Sequence, residues 1–314
     1  MGCGKNEQKD ITKKLSKKIN NLKGYHLVGD LEIINNDDSY TYSIDVSYQK
    51  DDKFKVVLKN TVNDHEQIIL KNTSDVYVLT PSLNKSFKFQ SEWPYNNSQI
   101  YLLQTLLKDI EDKDTKMEKK EDYVFTTKAN YSNSKDLVTQ EIVFDKDLVL
   151  KKAQVLDSNG TVRMSITFKA VDLNATYKAD YFDLKTNMPT SEELETYTPV
   201  SVIEDIIYPM YLPVNTTLTS QDKISGNGIE RVIMTFSGDD NFTLVQETAS
   251  QNESLSVTPV EGDPYLLADG VAAITNNTIN WYSNGVEYFI ASETLNQEEL
   301  INVAASISVL PVGK

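Results

Sequence analysis

An α+β fold is predicted, built on a long antiparallel meander that must curl or close. Three observations predict it. The segment YTYSIDVSY alternates strictly, with Tyr40, Tyr42, Ile44, Val46 and Tyr48 on one face and Thr41, Ser43, Asp45 and Ser47 on the other. Similar strand signals follow at short intervals, and a meander of about eight to ten strands cannot stay flat. One leucine-rich helix, NNSQIYLLQTLLKDI, interrupts them.

The elements follow in chain order. In residues 6–23, Ile11, Leu15, Ile19 and Leu22 fall on one stripe of an amphipathic helix, with Gly24 as its expected terminator. Strands are then predicted in YTYSIDVSY, KFKVVLK, EQIILKN, DVYVLTP and KSFKFQS, separated by polar turns such as Gln49-Lys50-Asp51-Asp52. For the leucine-rich helix, Ser98 is the expected N-cap. Ile100, Leu102, Leu103, Leu106, Leu107 and Ile110 fill an arc of roughly 160°, which suits a helix sunk into a concave sheet. DYVFTTKANY, LVTQEIVFD, LVLKKAQVLD and TVRMSITFKA form a second set of strands. The last two are joined at Ser158-Asn159-Gly160, where Asn-Gly predicts a type I′ hairpin.

Between residues 185 and 213 lie Pro189, Pro199, Pro209 and Pro213, which predict a linker. Beyond it, hairpins are expected at Gly238-Asp239-Asp240-Asn241 and Asn284-Gly285. A helix is expected from Gln297 to Ile307, with Leu300, Val303, Ala304 and Ile307 inward. Trp281 and Tyr282 either close a small core or form a contact patch. The expected division is 1–24, anchor segment and amphipathic helix; 25–188, the large sheet domain; and 189–314, a small acidic α+β domain.

Charge follows the same division. Residues 1–24 carry seven Lys against Glu7 and Asp10, whereas residues 189–314 carry Lys223, Arg231 and Lys314 against 18 acids. A net charge of −15 argues against nucleic-acid binding, which needs clustered cations. The basic N-terminal segment is either a solvated helix face or a surface that lies against anionic lipid. In the second case the acidic domain faces away from the bilayer. No apolar run approaches the roughly 18–20 residues of a membrane span.

Little points to catalysis. His26 and His65 lack ligand partners at motif spacing, and neither a nucleophile elbow, a P-loop nor a zincin helix occurs. Ser225-Gly226-Asn227-Gly228 precedes a strand and reads as a turn. A non-enzyme is expected, with no catalytic residues, no metal and no cofactor. Cys3 is the only cysteine, which excludes an internal disulfide. It is either incidental or a lipid attachment site. Gly2-Cys3 followed by a polar tether matches the end of a bacterial lipoprotein signal, with Met1 in place of a removed or truncated leader. Asn6 fits myristoylation less well.

Residues 76–110, from Val76-Tyr77-Val78-Leu79-Thr80-Pro81 through Phe87 and Phe89 to the leucine-rich helix, resemble the LolA/RseB superfamily. They look most like its sporulation- and germination-associated lipoproteins from Gram-positive spore formers. The resemblance extends over about residues 5–188, and the tail from Ile279 is similar to the small domain that accompanies many such proteins. It implies an unclosed β-barrel (a half-barrel) covered by helices, whose hollow in LolA shelters acyl chains. The arginine that helps latch the LolA lid has no counterpart in Tyr48-Gln49-Lys50-Asp51-Asp52, since the arginines here are Arg163 and Arg231.

The expected hollow is lined by Tyr42, Ile44, Val46, Tyr48, Phe54, Val56 and Leu58 of the sheet and by Ile100, Leu103, Leu106, Leu107 and Ile110 of the helix. Covering each such side chain is worth roughly 1.5–3 kcal/mol. Whether the hollow is open or filled separates two functions. One is a membrane-tethered scaffold for a protein of the envelope or cell-wall machinery; the other is a carrier of lipid or lipoprotein acyl chains. Either places the protein outside the cytoplasm, on the outer face of the cytoplasmic membrane or in the forespore intermembrane space.

Overall fold

A computed structural model describes residues 3–73, 75–197, 202–226 and 228–307, without the side chains of residues 3–5. In chain order it forms α1 (Cys3–Asn20), β1 (Gly24–Asn35), β2 (Asp38–Gln49), β3 (Lys53–Asn60), β4 (Glu66–Lys71), β5 (Val76–Thr80), β6 (Lys85–Phe89), α2 (Leu103–Ile110), β7 (Lys116–Lys119), β8 (Tyr123–Lys128), β9 (Leu137–Phe144), β10 (Leu150–Asp157) and β11 (Val162–Asp172). Then follow α3 (Ser191–Leu194), β12 (Thr217–Gly226), β13 (Ile229–Ser237), β14 (Phe242–Thr248), β15 (Ser256–Val260), β16 (Asp263–Leu267), β17 (Gly270–Ile274), β18 (Thr278–Ser283), β19 (Val286–Ala291) and α4 (Gln297–Ala305). Contacts divide the chain into two compact units, Met1–Leu58 with Glu92–Ala179, and Lys59–Ser91 with Asp180–Lys314.

The first unit is an open antiparallel sheet in the order β3-β2-β1-β11-β10-β9-β8-β7. This is the α+β, unclosed-sheet architecture expected. Its spine is the β1–β2 hairpin, which runs in unbroken register from Gly24↔Gln49 to Asn35↔Asp38. Left-handed Asn36 helps make its turn, a conformation asparagine tolerates better than most residues. The period of two puts Tyr25, Leu27, Leu31 and Ile33 of β1 inside with Tyr40, Tyr42, Ile44 and Val46 of β2.

Helix α1 packs on α2. Ile11, Leu15 and Ile19 of its stripe are buried, while Leu22, beyond the helix end, is half-buried. Polar bonds pin the helix as well. Gln8 Nε2 donates to Thr115 O at 2.7 Å, and Lys18 Nζ donates to the carbonyls of Asp147 at 3.0 Å and Leu148 at 2.8 Å.

Three local expectations need correction. Gly24 is not a helix terminator but the first residue of β1. A Cβ there would lie 2.5 Å from Ala175 O and 3.0 Å from Tyr48 O, so close backbone approach demands glycine. Helix α2 begins at Leu103, not after Ser98, because Thr105 Oγ1 donates to Gln99 O and Leu102 O and holds the preceding residues in turns. At residues 158–160 only Gly160 has positive φ, and its N–H donates to Asp157 O at 3.0 Å. That describes a three-residue loop ending in a left-handed glycine, not a type I′ turn.

The second unit contains β4-β5-β6-β15, with β15 parallel to β6, and a separate antiparallel sheet in the order β12-β13-β14-β19-β18-β17-β16. Asn284 and Gly285 both take positive φ, as the predicted type I′ hairpin requires. Helix α4 starts in a capping box between Asn296 and Glu299 and buries Leu300, Val303 and Ala304, with Ile307 buried beyond its end. Trp281 stacks on Tyr288 at 4.9 Å inside this core, and Tyr282 is also buried. Of the proline-rich stretch, Pro199 lies outside the described residues, whereas Ile203 and Ile207 are strapped to the sheet. Ile203 N donates to Glu230 Oε2 at 2.7 Å, and the buried Gln246 side chain bonds both backbone groups of Ile207.

Candidate functional site

The inward residues of β2 and β3 and the apolar residues of and just before α2 are buried alike, and α2 itself packs on α1 and β8. Tyr42, Ile44, Val46, Phe54, Val56 and Leu58 are each at most 5% exposed, as are Ile100, Leu103, Leu106, Leu107 and Ile110. The exception among the predicted lining residues is Tyr48, which is half-buried.

Tyr48 belongs to an aromatic file at the rim. Its ring lies 5.0 Å from Tyr25, stacked, and 5.0 Å from Phe54. Phe54 in turn meets Trp93 edge-on at 5.9 Å and Tyr95 at 6.5 Å. Such edge and offset contacts add stability beyond area burial, roughly 0.5–1.5 kcal/mol each. The phenols are tied at their outer ends. Tyr25 Oη donates to Gln104 Oε1 of α2 at 2.8 Å, and Tyr95 Oη donates to Asp52 Oδ1 at 2.8 Å. Burial pushes the Tyr25 phenol well up, and burial together with Asp52 pushes Tyr95 up, so both are neutral donors at physiological pH. Asp51 and Asp52 are both left-handed in the β2–β3 turn, an arrangement that stores strain beside the rim.

Beneath the far end of α2 sits one buried carboxyl group. Asp109 Oδ2 accepts from Ser98 Oγ at 2.8 Å and Gln140 Nε2 at 3.0 Å, while its carbonyl accepts from Thr127 Oγ1 at 2.7 Å and Thr115 Oγ1 at 3.1 Å. Burial pushes the carboxyl up and the two side-chain donors pull it down, with burial the larger effect. These bonds lock α2 to β8 and β9.

Elsewhere, His26 Nε2 lies 2.8 Å from Asp45 Oδ2 on the half-exposed outer face of β1 and β2. The backbone N–H of His65 donates to Asn63 Oδ1 in a turn. Among the described residues, no cluster of three metal-ligating side chains occurs and no helix is long and apolar enough to cross a membrane. Cys3 opens α1, and its side chain lies outside the described residues.

Of the twelve residues that the sequence names for a hollow, eleven are buried and Tyr48 is half-buried; Tyr25, Trp93, Tyr95 and Gln104 are not among those named. Tyr25 was detectable, because it continues the alternation Tyr25, Leu27 on the face opposite His26. Trp93 and Tyr95 come from an irregular segment without periodicity.

Comparison with known proteins supplies a family. Over 311 residues the chain is 36% identical to the sporulation protein YdcC of Bacillus subtilis (strain 168), covering 97% of this chain and 91% of the relative. No family model matches. Solved structures similar to it include the MucA/MucB complex of Pseudomonas aeruginosa, with 12% identity, TM-score 0.34, and coverage of 98% of this chain and 100% of that one. A LolA superfamily protein from Nitrosomonas europaea matches with 11% identity, TM-score 0.32, and coverage of 56% of this chain and 98% of that one.

Proposed function

The chain belongs to the family of the sporulation protein YdcC, and from that premise we propose that it is a non-catalytic, membrane-tethered envelope lipoprotein that binds and positions a protein partner during sporulation or germination. The observation that carries the reading is the state of the face under α2. A hollow that accommodates an acyl chain leaves its lining side chains open to a solvent-sized probe. Here eleven of them are at most 5% exposed, which favours a filled interior whose stiffness serves a binding surface.

The carrier reading draws support from one feature, the half-buried Tyr48 and the exposed Tyr95 at the rim. An acyl chain entering there would have to displace the Tyr25–Gln104 bond and lift α2. The tether at Cys3 and the extracytoplasmic location belong to the same proposal.

Crosslinking in sporulating cells, followed by recovery of the protein, tests it. Recovery of one stoichiometric envelope or cell-wall protein without lipid is the expected outcome. Co-purified lipid in one-to-one amount would instead establish the carrier. Mass spectrometry of the membrane-derived protein checks the anchor, and an unmodified Cys3 thiol would remove it.

A further inference from the structure

A sheet accepts a partner strand only where its edge offers a long row of free backbone donors and acceptors without proline or a fence of lysines. Among the described residues, four strands have a hydrogen-bonded neighbour on one side only. β7 is four residues long and carries lysine at both ends, β15 contains Pro259, and β16 contains Pro264. β12 is the least protected, with a single lysine, Lys223, that is paired with Glu230. It is ten residues long, free of proline, and every residue in it is exposed. Among the described residues it pairs with β13 on one side only, and after a bulge near Leu218 the register runs unbroken from Ser220↔Thr235 to Gly226↔Ile229.

An apolar surface accompanies this edge. Met210 is 87% exposed and Val214 78%, with Tyr208 and Leu212 also exposed just before β12 and Leu218 and Ile224 exposed within it. The segment is not a loose tail. Tyr208 Oη donates to Gln221 Oε1 of β12 at 2.7 Å, Met210 N donates to Ser306 O at 3.4 Å, and Gln246 grips Ile207. Apolar side chains are thus held outward on an anchored backbone.

Charge decides the occupant. The cations close to this edge are already neutralised, Lys223 by Glu230 at 3.1 Å and Arg231 by Glu247. Acids outnumber bases 18 to three over residues 189–314. A second copy would bring the same negative charge, and an anionic membrane would be repelled. We propose that the free edge of β12 receives, as an added strand, an extended cationic segment of a partner protein with apolar residues at alternate positions. This rests on the protein-binding reading and names its surface.

The test uses the full chain and two decapeptides, one alternating lysine with valine and one alternating glutamate with valine. The lysine peptide is expected to slow amide exchange across Thr217–Gly226 and to bind at least tenfold more tightly than the glutamate peptide. Leu218→Lys combined with Ile224→Lys, both at exposed sites, should weaken it at least tenfold while the unfolding midpoint stays unchanged. Equal binding of both peptides, or protection confined to other strands, would overturn the proposal. So would β12 protection without peptide in a species of dimer mass, or preferential binding of this face to phosphatidylglycerol vesicles. A partner crosslinked in cells at residues remote from β12 would sink the docking surface yet leave the protein-binding reading standing. One-to-one lipid in a chain whose β12 still takes the lysine peptide would do the opposite.

Discussion

Tyr25 donates its phenolic proton to Gln104 Oε1 at 2.8 Å, a bond that joins the first strand of the chain to the first turn of α2 across 79 residues. Helix α2 is therefore fastened at one end by Tyr25 and at the other by the Ser98–Asp109–Gln140 group.

Removing the first fastening leaves the Gln104 acceptor without its donor. Tyr25→Phe should destabilise the protein by about 1–2 kcal/mol, because a buried bond is lost without a change of shape. Urea unfolding measures this, and an unchanged midpoint would show that the bond contributes nothing.

The second fastening predicts a pH dependence of opposite sign to that of an ordinary salt-bridged acid. Burial raises the Asp109 carboxyl above its unfolded value of 3.8. Ionisation therefore favours the unfolded chain, and the stability lost appears as pH rises from that value through the folded one. Asp109→Asn removes the titration, and its amide can donate to Gln140 Oε1, which is buried without a partner. The variant should be the more stable of the two at neutral pH, with the advantage fading below the ordinary carboxylate range. Urea midpoints between pH 3.5 and 8 test this; a pH-independent difference would refute it.

The apolar stripe of α1 is predicted to belong to the folded core. Leu15, fully buried, should cost about 2–5 kcal/mol as Leu15→Ala. Leu22→Ala, at a half-buried site past the helix end, should cost under about 1 kcal/mol. Equal effects in denaturant titrations would mean that α1 does not dock.

Two glycines should respond to alanine for different reasons. Gly24→Ala drives a methyl group into the Ala175 carbonyl and should destabilise by at least about 2 kcal/mol. Gly160→Ala meets nothing and suffers only its left-handed backbone, at about 1 kcal/mol. Thermal melts separate the two.

What was legible in the sequence was whatever a short-range pattern encodes. Alternation in residues 40–48 told which face of β2 is inward, four-residue spacing placed Ile11, Leu15 and Ile19, and the leucine arc identified a buried helix. The sporulation class was legible from the texture of residues 76–110. Illegible features depend on competition between partners distant in the chain. Ser98 has the chemistry of a cap but is engaged by Asp109 and Asn130 instead. The rim gathers Tyr25, Tyr48, Phe54, Trp93 and Tyr95 from separate segments, and no local period joins them.

Helix α1 begins at Cys3 itself and is clamped to the body along its length, by Gln8 near one end and Lys18 near the other. Under the proposed tether, a lipid on that cysteine would sit only about 8 Å of helical rise from the first clamp rather than on a string. Swivel and reach would both be small, so every copy would meet its counterpart at one fixed height and heading above the bilayer.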